Sequence, residues 1–110
     1  MRDFWVYEGR EPDFVKVFGA EGIWRDFLRR SRQYLGSELW IESEAERRFR
    51  LVDHWMSHVG FEALRAIHQV DCGRIEHFIR SEGIVRREEL LGAFYIDDPQ
   101  ADEGDDLVLS

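Results

Sequence analysis

The spacing of apolar residues changes several times along the chain, and each change predicts an element. From Asp3 to Glu8, Trp5 and Tyr7 alternate with Phe4 and Val6, the pattern of a strand buried on both faces. Gly9 ends it. Pro12 stands near a first helical position between Glu11 and Asp13, where negative charge suits a helix N-terminus. Phe14, Val17 and Phe18 then form one apolar stripe at i, i+3 and i+4. Gly19 and Gly22 interrupt that stripe and Ile23, Trp24, Phe27 and Leu28 resume it, so the reading is a broken helix from about 12 to 31.

Farther on, Leu39 and Ile41 alternate with Trp40 in a strand from about 36 to 43, and Phe49, Leu51 and Val52 mark another that ends near Trp55. The polar run from Glu42 to Glu46 joins the two as a hairpin. Ser57 is placed to cap a second helix with apolar positions Phe61, Leu64, Ile67 and His68. Gly73 is the expected break in it, after which Ile75, Phe78 and Ile79 restore helical spacing. Gly83 stops the helix, and Ala93 to Ile96 reads as the last strand. The order strand, helix, strand, strand, helix, strand predicts an α+β fold, the ferredoxin-like βαββαβ plan, with a four-stranded antiparallel sheet and both helices on one face. The other sheet face then needs a cover, and the simplest is the sheet of a second copy, giving a homodimer. The domain is expected over residues 1–97, with an acidic tail over 98–110.

Composition narrows the function more than the fold. A chain of 110 residues is one domain, and 44% apolar with 35% charged residues is a globular composition. The 14% aromatic share is high and can fill a core, a ligand pocket or a subunit interface. A net charge of −8 argues against a nucleic-acid partner, which would be held by Lys and Arg clusters. The Arg29-Arg30-Arg32 and Arg47-Arg48-Arg50 groups sit close to acids and read as solvated faces. Cys72, the one cysteine, has no CxxC neighbour and reads as a buried or bystander thiol. No apolar run approaches a bilayer span, so no membrane partner and a cytoplasmic location are expected. Glycine-rich phosphate loops, Gly-x-Ser-x-Gly elbows and paired cysteine motifs are absent. His54 with His58, and His68 with His77, do not converge as ligands by spacing, and no metal is expected.

Three groups of residues carry a resemblance. Tyr34-Leu-Gly-x-Glu38-Leu; Asp53-x-Trp55-x-Ser57 with Phe61-Glu62-Ala63; and Gly83-x5-Glu89-x2-Gly92-x-Phe94 follow in an order similar to that of the antibiotic biosynthesis monooxygenase-like family, dimeric α+β barrel proteins. Phe18-Gly19-x2-Gly22-x-Trp24-x2-Phe27 fits a subgroup with a broken first helix. The resemblance spans about residues 3–96. It implies a homodimeric barrel and, in some members, oxygenation of polyaromatic phenols to quinones without metal, flavin or other cofactor. Other members degrade haem, and many have no demonstrated activity. The haem branch is disfavoured: the chain has no Asn, Leu64 stands at the expected Trp, and Arg74 at the expected His, with His77 three residues later.

A cofactor-free oxygenase must hold an aromatic substrate in an apolar pocket, take its proton and stabilise the anion. His68 and Asp53 are the candidate proton acceptors, with His54 a further one. Trp5, Tyr7, Trp24, Trp55 and His54 are candidates for binding the substrate, and Trp40 is a further residue that could stack on it. Each has a plainer reading beside it. His68 on the apolar stripe suits a satisfied core histidine, Asp53 suits an Arg partner, and Trp55 suits packing where sheet meets helix. Tyr7 suits a cross-sheet hydrogen bond, and Trp40 suits dimer burial. The leading function is therefore a monooxygenase acting on a small aromatic or phenolic compound. The alternative is a non-catalytic dimeric module that binds a small apolar molecule or serves only for interaction. An enzyme needs an open pocket with a polar group in its apolar wall, whereas a structural module would fill that space with Phe14, Phe27, Trp24 and Phe61.

Overall fold

The computed structural model describes residues 1–92. Four strands, β1 (Arg2–Val6), β2 (Tyr34–Ser43), β3 (Arg48–Trp55) and β4 (Val85–Leu90), form one sheet in the order β2-β3-β1-β4, and every pairing is antiparallel. Between β1 and β2 run α1 (Glu11–Phe18) and α2 (Ile23–Leu28); between β3 and β4 run α3 (His58–Ile67) and α4 (Gln69–Ser81). The fold is α+β.

One face of the sheet is the core. Phe4 and Val6 of β1 and Phe49 and Leu51 of β3 point to the helices, where Phe14, Val17, Phe18, Trp24, Phe27 and Leu28 close over them. Ring centroids of Phe4 with Phe18 and of Phe14 with Phe49 lie 4.8 and 4.7 Å apart. The first helical stretch breaks where Gly19 and Gly22 predict. A Cβ at Gly22 would meet the Val17 carbonyl oxygen at 2.3 Å, so α2 can restart only against a residue without a side chain.

The second helical stretch breaks elsewhere than expected. Its interruption is at His68, with φ −117° and ψ 38°, while Gly73 lies inside α4. Leu64, Cys72 and Ile79 reach the core, but Ile67 is 75% exposed; the kink turns the apolar stripe away from that position. Ser57 occupies the N-cap position of α3, yet its hydroxyl donates to Gln33 Oε1 at 2.8 Å and accepts no bond from a helix N–H. Gly83, at φ +67°, turns the chain out of α4 as read.

β4 is the element that the apolar pattern hides. Four consecutive charged residues, Arg86 to Glu89, mask its period of two, and it forms because it is an edge strand paired to β1 alone. Glu88 is drawn to Arg2 at 2.8 Å. The strand expected at Ala93–Ile96 and the tail expected from 98 lie outside the described residues. Among the described residues, no helix is long and apolar enough to cross a membrane.

The opposite sheet face carries charge around two tryptophans. Trp5 lies between the guanidinium groups of Arg48 and Arg87, at 5.1 and 4.3 Å from the ring centroid. Asp3 beside it is fully buried. It accepts hydrogen bonds from Arg48 Nε at 2.6 Å and Arg50 Nε at 2.8 Å, and Arg50 continues to Glu42 at 3.1 Å. Burial alone would raise the Asp3 carboxyl, but the hydrogen bonds and charges of Arg50 and Arg48 outweigh it and hold it below its ordinary value of 3.8. The stability that Asp3 contributes is therefore fully present above pH 3.8 and is lost as pH falls through its lower folded value. Asp3→Ala is expected to cost about 2 kcal/mol at pH 7, because it leaves two partly exposed guanidinium groups without their shared acceptor. Urea unfolding of both proteins from pH 7 to pH 2 measures this, and the wild type should lose more stability over the acid limb than the variant.

Candidate ligand cleft

A cleft of about 340 Å³ opens between the helix side of the sheet and the α3–α4 pair. Its aromatic wall comes from three elements: Trp24 of α2, Trp55 at the end of β3, and Phe61 of α3. Trp55 and Phe61 are 5.7 Å apart, and Trp24 meets Phe61 edge to face at 6.0 Å. Phe14 and Phe27 are used in the core beneath, while Trp24 and Phe61 line the open space.

Asp53 lines the cleft within this wall. It stands on β3 opposite Ser37 of β2, and the pair shares the helix side of the sheet. Trp24 Nε1 donates to Asp53 Oδ2 at 3.1 Å, and the Ser37 hydroxyl donates to Oδ1 at 2.5 Å. Ser37 in turn is hydrogen-bonded to the Tyr34 hydroxyl. Burial, helped by the nearby Asp53 charge, pushes the Tyr34 phenol above its ordinary value against the opposing effects of Ser37, Arg25 and Arg29, so Tyr34 is a neutral phenol near pH 7.

Of the remaining polar groups, the Met1 ammonium donates to the Gly92 carbonyl at 2.5 Å, and the others form ion pairs near the rim. Arg2 pairs with Glu88 at 2.8 Å and lies 5.0 Å from the Trp24 ring centroid. Arg65 approaches Glu76 at 3.8 Å. The Cys72 thiol donates weakly to Glu76 at 3.5 Å, and burial together with the Glu76 charge pushes it up to about 11. At neutral pH that thiol is no nucleophile.

The residues singled out from the sequence thus separate. Asp53, Trp24 and Trp55 meet at the cleft. Trp5 and His54 face the opposite side of the sheet, where His54 Nε2 lies 2.7 Å from Glu38. Tyr7, 46% exposed, follows β1 and lies outside the cleft lining. His68 sits at the α3–α4 kink, with its ring edge-on to Phe27 and its Nδ1 3.2 Å from Arg30. Arginine has no acceptor, so that nitrogen's lone pair is occupied. Ser37 and Tyr34 were not singled out as polar groups, although Gly36 inside the strand was a signal of irregular register. Phe61 was read only as core.

Among the described residues, no group of three or more His, Cys, Asp or Glu is placed to hold a metal ion. No protein-family model, curated protein or solved structure matches this chain.

Gly60 supports the wall from behind: a Cβ there would lie 2.9 Å from the Trp55 ring and 3.0 Å from Gln33. Gly60→Ala should push Trp55 toward the cleft and cost about 1–3 kcal/mol from overpacking. Thermal unfolding, followed with the Trp fluorescence maximum, measures both effects; an unchanged melting temperature and spectrum would contradict this packing.

Proposed function

We propose that this protein binds a small aromatic, phenol-bearing compound in the cleft and oxygenates it without a cofactor, with Asp53 as the proton acceptor. The observation that carries the reading is the Asp53 carboxylate set among Trp24, Trp55 and Phe61 in an open cleft. An aromatic ring gains dispersion and stacking against those side chains, and its hydroxyl then meets a carboxylate already held by two donors. Transfer of the phenolic proton to Asp53 leaves a phenolate, electron-rich enough to react with dioxygen. In the overall reaction the ring loses four electrons and dioxygen gains them. One oxygen atom enters the ring as a quinone carbonyl and the other leaves as water.

The resemblance to the antibiotic biosynthesis monooxygenase-like proteins supports the same chemistry. The β2-β3-β1-β4 order supports a ferredoxin-like plan. A second copy packed on the open sheet face, as in a dimeric α+β barrel, is part of this reading. It would bury Trp40, which is 47% exposed, beside the self-paired charges of Asp3, Arg48 and Arg50. Sedimentation at micromolar concentration should then give a dimer, and a monomer would remove that part.

The activity is tested by oxygen uptake against a panel of naphthols and larger polycyclic phenols with a metal chelator present. Wild-type turnover is expected to survive chelation. Asp53→Asn should lower it by about 10²-fold or more, the size of a general-base contribution, and His68→Ala, which is outside the cleft, should leave it unchanged. Naphthol binding with no oxygen uptake anywhere would reduce the protein to a binding module. Equal rates for Asp53→Asn and wild type would remove Asp53 as the base.

A further inference from the structure

We infer that Ser37, itself held by Tyr34, is the positioning residue that keeps the Asp53 carboxylate aimed into the cleft; this rests on the reading of that cleft given above. Among the described residues, Glu88 and Glu76, the other carboxylates lining the cleft, each have a guanidinium beside them, Arg2 at 2.8 Å and Arg65 at 3.8 Å, while Asp53 faces the Met1 ammonium. The two hydrogen bonds recorded to Asp53 come from neutral groups, the Trp24 indole and the Ser37 hydroxyl. A carboxylate among aromatic rings loses solvation, and neutral donors must replace what water would have supplied.

The directions of these bonds follow from what each group can do. Ionised Asp53 only accepts, so Ser37 donates to it, and the single Ser37 hydrogen is then committed. The hydrogen between Tyr34 and Ser37 must therefore come from Tyr34. Tyr34 being a neutral phenol, it has that hydrogen to give. A chain of two hydroxyls pointing toward one carboxylate polarises each bond and strengthens the last.

The strand is built to allow this chain. Regular alternation would send Tyr34 and Ser37, three positions apart, to opposite faces. Gly36, at φ +128°, and a register shift between Tyr34 and Gly36 insert the extra residue that brings both to the helix side. Tyr34 is also fixed by its ring, 5.4 Å from that of Trp55. The one strand irregularity at this end of the sheet thus places a second hydroxyl behind the first.

Among the described residues, the charged and titratable groups that face this site are the Met1 amine before β1, Arg2 of β1, Arg25 and Arg29 at α2, Arg65 of α3, Glu76 of α4 and Glu88 of β4. Substitutions at Ser37 and Tyr34 leave all of them in place. Losing the Ser37 donor frees the Asp53 carboxylate to turn from the cleft, so a ligand hydroxyl that must meet it is held more weakly.

The experiment is 2-naphthol binding at pH 7, read by quenching of tryptophan fluorescence in full-length protein, with naphthalene, which has no hydroxyl, as the comparison probe. Wild type should bind 2-naphthol more tightly than naphthalene. Ser37→Ala should weaken 2-naphthol binding by about tenfold and leave naphthalene binding where wild type has it. Tyr34→Phe should weaken 2-naphthol binding less, and Ser37→Thr, which keeps a hydroxyl, should restore it. Ser37→Cys, close in size but a poor donor, should behave as Ser37→Ala and replaces it if the alanine variant unfolds. If Asp53→Asn weakens 2-naphthol binding while Ser37→Ala, Ser37→Cys and Tyr34→Phe all bind it as wild type does, the inference is overturned and the cleft reading stands. If wild type fails to bind 2-naphthol, or Asp53→Asn binds it as tightly as wild type, the cleft reading fails and takes the inference with it.

Discussion

The hydrogen bond from the Trp24 indole to Asp53, at 3.1 Å, joins the interior of this protein to its cleft. Trp24 is 2% exposed and packs on Phe18, Phe27 and Phe61. A buried indole N–H needs an acceptor, because leaving it without one costs about 1–3 kcal/mol. The acceptor here is the cleft carboxylate, which in turn is fixed by the largest side chain of the core. Packing and polarity are thereby satisfied by the same contact. The break between α1 and α2 at Gly19 and Gly22 matters for this reason: it sets the position at which Trp24 enters the core.

The sheet divides its labour between two faces. On the helix side, apolar residues of β1 and β3 bury against four helices, and the rim near the start of β1 and the end of β3 is left open as the cleft. On the other side, Asp3 draws Arg48 and Arg50 together, and Arg48 and Arg87 cover Trp5. These ion pairs satisfy one another within a single chain, so the face is compatible with water as well as with a partner. The sequence alone treats an uncovered sheet face as a demand for cover. The charges on alternate positions of β1, β3 and β4 soften that demand.

Much of the fold was legible because periodicity and glycine punctuation agree at β1, at the broken first helix and at the β2–β3 hairpin. Reading failed where one signal hid another. Four charges concealed β4, and Gly73 drew attention from the kink at His68, which has no breaker residue. At the site, Asp53, Trp24 and Trp55 could be named from residue type, but their convergence depends on helix placement that spacing does not encode. Trp5 was a fair candidate by type and lies across the sheet, because a one-residue difference in alternation decides the face. The pairing of Ser37 with Tyr34 was hidden for the same reason in reverse: regular alternation separates them, and the bulge at Gly36 unites them.

The proposed function requires that the Asp53 carboxylate receive the hydroxyl of an aromatic ligand. A crystal structure of the protein with 2-naphthol tests it most directly. The expected complex has a ring lying against Trp55 and Phe61, with its oxygen about 2.5–3.0 Å from an Asp53 carboxylate oxygen. A naphthol bound elsewhere, or in the cleft with its hydroxyl turned away from Asp53, would contradict it.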